Sequence, residues 1–260
     1  MTLAFAGSAW AVAAALMTVL WLWQRRSGNA GIVDVAWSFA TALAGVGFAL
    51  ALGEGPRRWI IAGVAALWGL RLGVHLWRRV ATDPHEDARY RAMREEWGAR
   101  FQWFIFGFYQ LQALWAVLFA LPFAWAAWNH APLGPLDALG AAVWIAGFAG
   151  ETIADRQLAA FRRRPEARGR VCDVGLWRWS RHPNYFFEWI QWFACVCFAA
   201  GGDGRWLAWL GPAAMLWFLL KVTGIPMLER RMIESRGDAY RRYQATTSAF
   251  VPLPPRTPRP

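Results

Sequence analysis

Leu3 to Trp23 contains no charged side chain, nor does Val35 to Gly53, nor the longer run from Phe101 to Trp128. An α-helix needs about 20 apolar residues to cross a bilayer core of about 30 Å. A soluble domain has no use for so many such runs. Trp59 to Trp77 adds another, interrupted by Arg71 and His75. A fifth starts near Leu136 and ends with Glu151 and Asp155 in its last turns. Shorter runs follow at Trp189 to Gly202 and Trp206 to Lys221. The pattern predicts an all-α, polytopic membrane protein of about seven transmembrane helices, with Pro122 as a kink site in the fourth. The first run is too long, and lacks the basic flank, for a cleavable signal peptide.

The formal charge of +11 would suit nucleic acid, but its placement argues otherwise. Basic residues favour the cytoplasmic side of short loops. With the N-terminus outside, segments 24–31, 78–100, 156–185 and 229–260 face inward and carry 23 arginines; the outer loops carry three. The charge therefore reads as a topological signal and an anion-binding surface, with the C-terminus cytoplasmic and no nucleic-acid partner. Three cysteines exclude a disulfide scaffold. The four histidines lie apart from one another and from any cysteine pair, so no metal site is expected.

The chain reads as one integral membrane domain over 1–260. Residues 1–130 supply substrate-side helices, 136–254 a cofactor-binding part and 255–260 an extended tail. Segment 78–100 interleaves acids with arginines and predicts a solvated, salt-bridged helix starting at Asp83-Pro84. Segment 156–185 reads as a long inner loop broken at Pro165 and Gly169. Met227 to Tyr243 reads as one amphipathic helix at the membrane face. The ending PLPPRTPRP has the composition of an extended segment.

Ionisable residues within membrane segments are costly and mark function. Arg71 and His75 share a face of the third helix, Glu151 and Asp155 of the fifth, and Asn184, Glu188 and Gln191 of the sixth, with Trp192 beside them. Asp34 opens the second helix and Lys221 ends the seventh. Plainer readings stand beside these: Lys221 and Arg78 snorkelling to the interface, Asp34 as an N-cap, His75 as a satisfied core histidine, and Glu151 and Asp155 in structural ion pairs.

The densest polar run is Gly175 to Tyr185, GLWRWSRHPNY, followed by Glu188. Arg178 and Arg181 offer guanidinium forks for phosphate, with Ser180, His182 and Tyr185 beside them. The helix N-terminus that follows adds anion affinity. Asn184 and Glu188 one turn in suit ribose hydroxyls or an amide. The run predicts a site for an anionic, nucleotide-like ligand, outside any Rossmann frame since no GxGxxG is present.

GLWRWSRHPNYFFE resembles the signature of DUF1295, a family of bacterial membrane proteins similar to the C-terminal domain of the steroid 5α-reductases and to the sterol reductases. IVDVAW at 32–37, LWGLRLGVHL at 67–76, HEDARYRAMREEWG at 85–98 and SAFVPLP at 248–254 extend the resemblance over most of the chain. It implies a bacterial inner-membrane enzyme that binds NADPH from the cytoplasmic side. Hydride would pass to an activated carbon–carbon double bond of a lipidic, steroid-like or isoprenoid substrate. Asp155 and Arg162 fall at cofactor-contacting positions, Asn184 and Glu188 match the pattern NFxGE, and Trp192 follows at its spacing. Arg170 corresponds to a phosphate-binding arginine. Glu229, Arg230, Tyr240 and Tyr243 fall in a C-terminal helix that closes over the cofactor.

The steroid reductases bind and protonate a substrate ketone with a Glu–Tyr pair from early helices, and this second helix lacks the matching Gln-Glu motif. Asp34 and His75 are the nearest equivalents, with His75 as acid and Asp34 orienting it. RHPxY also resembles the isoprenylcysteine and phospholipid methyltransferases, whose S-adenosylmethionine pocket would take Glu229 and Tyr243. The arginines of 156–185 favour a polyanionic cofactor over a cationic one. A lipid-binding membrane protein without enzymatic activity is the remaining alternative. Oligomeric state is not legible.

Overall fold

A computed structural model of the chain describes residues 2–82, 86–222 and 224–257. Among them the secondary structure is helical, with one isolated bridge between Ser180 and Ser248 and no strand. The helices are α1 (Thr2–Ser27), α2 (Ile32–Leu52), α3 (Arg57–Thr82), α4 (Ala88–Trp97), α5 (Phe101–Ala127), α6 (Pro135–Arg162), α7 (Pro183–Ala199), α8 (Leu210–Trp217), α9 (Ile225–Arg236) and α10 (Asp238–Thr246). Six helical stretches are long and apolar enough to cross a membrane: those of α1, α2, α3, α4–α5 and α6, and the stretch 205–236. The chain is an all-α polytopic membrane protein. Most of each of the seven apolar runs lies in helical backbone; the sixth, as far as Ala199, falls in α7, whose 17 residues span about 25 Å.

Two compact units divide the chain: Met1–Leu133 with Ala199–Ala208, and Gly134–Phe198 with Trp209–Pro260. In the first, α2 is the central helix, packed on α1, α3 and α5. Small residues permit this. A Cβ on Gly69 of α3 would come within 2.1 Å of Ala42 on α2, so only glycine lets the two backbones approach. Val33, Phe48, Ile61, Ile105 and Tyr109 fill the interior around α2. At one end Arg57 is buried and donates to the carbonyls of Asn129, Ala131 and Pro132, satisfying groups left free past the end of α5.

In the second unit α6 and α7 pack closely for the same reason. Cβ atoms on Gly147 and Gly150 would meet Gln191 and Phe187 of α7 at 2.4 Å. Asp137 Oδ2 accepts from the Gly134 amide and caps the start of α6, with Pro135 in its first turn.

Three sequence expectations change and one, the extended tail, holds. The fifth helix does not stop near Asp155. It runs to Arg162, because DRQLAAFR offers strong helix formers and no breaker before Pro165. The helix of segment 78–100 starts at Ala88, capped by Asp87, whose side chain accepts from the Arg89 amide; the start read at Asp83-Pro84 lies outside the described residues. Met227 to Tyr243 is not one helix. Gly237, at φ 54°, breaks it into α9 and α10. The tail is extended over 252–257 but not free: the Leu253 amide donates to the Trp179 carbonyl and the Arg256 amide to that of Thr246.

Candidate functional site

In the second unit the sequence-predicted residues fall into two clusters and an exposed group. The first cluster joins α6 to α7. Glu151 and Asp155 lie one turn apart on α6; Asn184, Glu188, Gln191 and Trp192 form the facing stripe on α7. Asn184 Nδ2 donates to Asp155 Oδ1 at 3.2 Å. Trp192 Nε1 donates to Glu188 Oε1 at 3.1 Å. Gln191 Nε2 donates to Glu151 Oε2 at 2.7 Å and reaches Glu188 Oε2 at 3.4 Å. Glu151 and Glu188 are each 6% exposed and Gln191 is 3% exposed. Carboxylates buried this far among apolar helices are expensive to keep unless they hold something.

The second cluster centres on Glu229 of α9. Its Oε1 accepts from Arg181 Nε at 2.6 Å and lies 3.3 Å from His182 Nε2; its Oε2 accepts from Gln244 Nε2 at 2.9 Å. Tyr240 stands at 3.5 Å. Arg181 also donates to the carbonyls of Gln244 and Thr247, and its amide to that of Ser248. Ser180 Oγ donates to the Phe250 carbonyl and accepts from the His182 amide. Tyr243 OH donates to the carbonyls of Trp177 and Ser180. Tyr185 stacks on His182 with ring centroids 5.7 Å apart. Burial pushes the pKa of His182 below the usual imidazole value, against the pull of Glu229, so its ring is neutral near pH 7. Burial pushes the Tyr243 phenol up, which keeps it a donor.

Arg162, Arg170, Arg178 and Arg230 are exposed. Arg181, by contrast, is spent inside the protein. Trp177 Nε1 donates to the Ala154 carbonyl and the Leu176 amide to Gln157, which fixes the RHP loop on α6.

The first unit holds the pair assigned to catalysis. Asp34, in the first turn of α2, does not cap that helix. Its Oδ1 accepts from Tyr90 OH at 2.8 Å and its Oδ2 from Arg89 Nη2 at 2.6 Å. His75 is an exposed residue of α3. The acids and arginines around α4 form ion pairs, as their interleaving suggests, but these reach back to the α1–α2 turn. Arg94 joins Glu86 and the Gly28 carbonyl, Glu86 accepts from the Ala30 amide, and Arg79 and Arg89 meet Asp87. Burial raises the Asp87 pKa, but the charge and hydrogen bonds of Arg89, with Arg79 behind them, outweigh it and hold the carboxyl at about 2. Beside Asp34 lies a cleft of about 30 Å³, lined by Arg79, Val80, Asp87 and Arg89 among others. It has room for a water molecule or two.

A family model described as a protein of unknown function, DUF1295, matches residues 20–247. The chain belongs to DUF1295. The α6–α7 cluster, Glu229 with its side-chain partners, and the Asp34 network of the first unit lie within the matched span. A relative from Schizosaccharomyces pombe (strain 972 / ATCC 24843), named uncharacterized protein C594.04c, is 24% identical over 272 residues, covering 91% of this chain and 76% of its own. No solved structure matches.

The sequence places Asn184, Glu188 and Gln191, with Trp192, on one helix face and Glu151 and Asp155 on another; that Asn184 bonds Asp155 and Gln191 bonds Glu151 comes from the structure. Tyr90 and Gln244 were missed, since each matters only through a partner distant in the chain.

Proposed function

We propose that this protein is a membrane-embedded reductase that uses NADPH to saturate an activated carbon–carbon double bond in a lipidic substrate. The observation that carries the reading is the pair of facing polar stripes, Glu151 and Asp155 against Asn184, Glu188, Gln191 and Trp192. Their carboxylates and amides suit the hydroxyls and carboxamide of a nucleotide cofactor. Exposed Arg162, Arg170 and Arg178 offer bidentate partners for its phosphates. Such a donor set fits NADPH, which when bound supplies the hydride. This chain's own residues bind and orient the cofactor, with Arg181, His182 and Glu229 holding the RHP loop that leads into α7.

Hydride addition to an enone also needs a proton at the carbonyl oxygen. His75, with Asp34 to orient it, remains the candidate acid, and Tyr90, which donates to Asp34, adds a second. A phenol donating to a carboxylate keeps a proton between them, in the manner of the Glu–Tyr pair of the steroid reductases that the sequence resembles.

A second reading draws on the same stripe. Three carboxylates, those of Glu151, Asp155 and Glu188, would also suit the cationic S-adenosylmethionine of a membrane methyltransferase. Purified full-length protein in detergent, titrated with NADPH, NADH and S-adenosylmethionine, separates the two. Thermal stabilisation by NADPH but not by the methyl donor supports the reductase. Stabilisation by the methyl donor alone reverses the reading, and none by any of the three leaves a lipid-binding role.

A further inference from the structure

The orientation of the Gln191 side chain is not arbitrary. Both of its polar neighbours on the stripe are carboxylates, which only accept. Nε2 faces Glu151 Oε2 and Glu188 Oε2 at 2.7 and 3.4 Å, a donor set against two carboxyl oxygens. A Cβ on Gly147 would meet Gln191 at 2.4 Å, so glycine there is what lets this side chain lie against α6. Gln191 Oε1 is left buried with no hydrogen-bond partner. A buried acceptor without a donor costs about 1–3 kcal/mol.

We propose that Gln191 Oε1, with Glu188 beside it, accepts the N–H₂ of a primary carboxamide, that of the nicotinamide ring. This subsite rests on the reductase reading. Its chemistry is selective: an acetyl group in place of the carboxamide keeps the carbonyl and removes only the donor. Gln191 Oε1 would then stay unpaired, the situation in which a polar site discriminates most strongly.

The probes are NADP⁺ and its 3-acetylpyridine analogue, and the readout is equilibrium binding to the full chain in detergent rather than turnover. The wild-type protein is expected to bind NADP⁺ roughly tenfold more tightly than the analogue. Gln191→Leu is expected to bind both alike, at the analogue's affinity. Equal affinity of the wild type for the two overturns the subsite while leaving the reductase reading standing, with a buried water as the donor. Discrimination retained by Gln191→Leu overturns it as well. Binding of neither probe to the wild type overturns both the subsite and the reading beneath it. If Gln191→Leu does not fold, Gln191→Met keeps the side-chain length, and the wild-type comparison decides alone.

Discussion

In the second unit two polar clusters lie near each other in sequence and differ in one respect. Around Glu229 the donors and acceptors are matched within the protein: Arg181, His182 and Gln244 meet its two oxygens, and Ser180, Arg181 and Tyr243 tie up backbone carbonyls. On the α6–α7 stripe one buried acceptor, Gln191 Oε1, is left over. A closed network specifies a conformation; an open one awaits a partner. The RHP segment, the most conspicuous motif of the sequence, is therefore chiefly a latch for the C-terminal helices. The quieter positions on α6 and α7 are the better candidates for ligand contact.

The strongest test of that distinction is Glu229→Ala. It leaves Arg181 and His182 in a half-closed site without their carboxylate. Breaking a buried pair on one side costs about 3–5 kcal/mol, and the exposure of Glu229 puts the expectation at the low end. Thermal unfolding in detergent should show a large drop in midpoint, with ligand affinity lost only through unfolding. A midpoint unchanged by this substitution would show that the latch is not structural.

The stripe should behave in the opposite way. Asn184→Ala and Glu188→Gln are expected to weaken NADPH binding about tenfold each, the loss of roughly one ligand hydrogen bond, and to shift the unfolding midpoint little. Parallel Tyr90→Phe, Asp34→Asn and His75→Ala variants, measured for turnover with binding monitored separately, identify the proton donor. A variant that loses turnover and keeps NADPH affinity marks it, and loss of both together would remove that residue from the acid role.

These contrasts also explain what the sequence could and could not disclose. The membrane helices were legible because hydrophobic runs are local and bilayer thickness fixes their length. Asn184, Glu188 and Trp192 were legible because helical spacing places them on one face. Helix ends were less so: Arg162 extends α6 because nothing breaks it before Pro165, whereas a cluster of arginines looks like a loop. The closed state of the RHP segment was not legible at all. Arg181 and His182 look free for a phosphate until Glu229, 47 or more positions away, is brought against them. The same holds for Asp34, whose partners Tyr90 and Arg89 sit on another helix.

Tyr243→Phe probes the latch more gently. It removes one hydroxyl that bonds the Trp177 and Ser180 carbonyls. The expected loss is about 1–2 kcal/mol, since carbonyls that stay buried lose their donor. If Tyr243 instead contacts the cofactor directly, NADPH affinity would fall with stability unchanged, and the line drawn between latch and stripe would have to move.

The smallest effects are those of pH, and they separate the latch from the ion-paired clasp of α4. His182 is held neutral by burial, so the folded protein resists a proton that the unfolded chain accepts near the usual imidazole value of 6.5. Its contribution is present above that pH and is lost as the pH falls below it. Asp87 works at a lower window. Its carboxyl stays ionised down to about 2, against a usual value of 3.8, so its stabilisation is full above 3.8 and disappears between there and 2. Unfolding midpoints measured from pH 7 to pH 2 should therefore fall in two stages. Asn in place of Asp87 should shrink the lower stage, to which Glu229 also contributes because, against burial, His182 and Arg181 hold its carboxyl at about 2, and leave the upper one. Loss of the upper stage in that variant would mean that the imidazole transition arises in the clasp, and that His182 does not titrate as a member of the closed network.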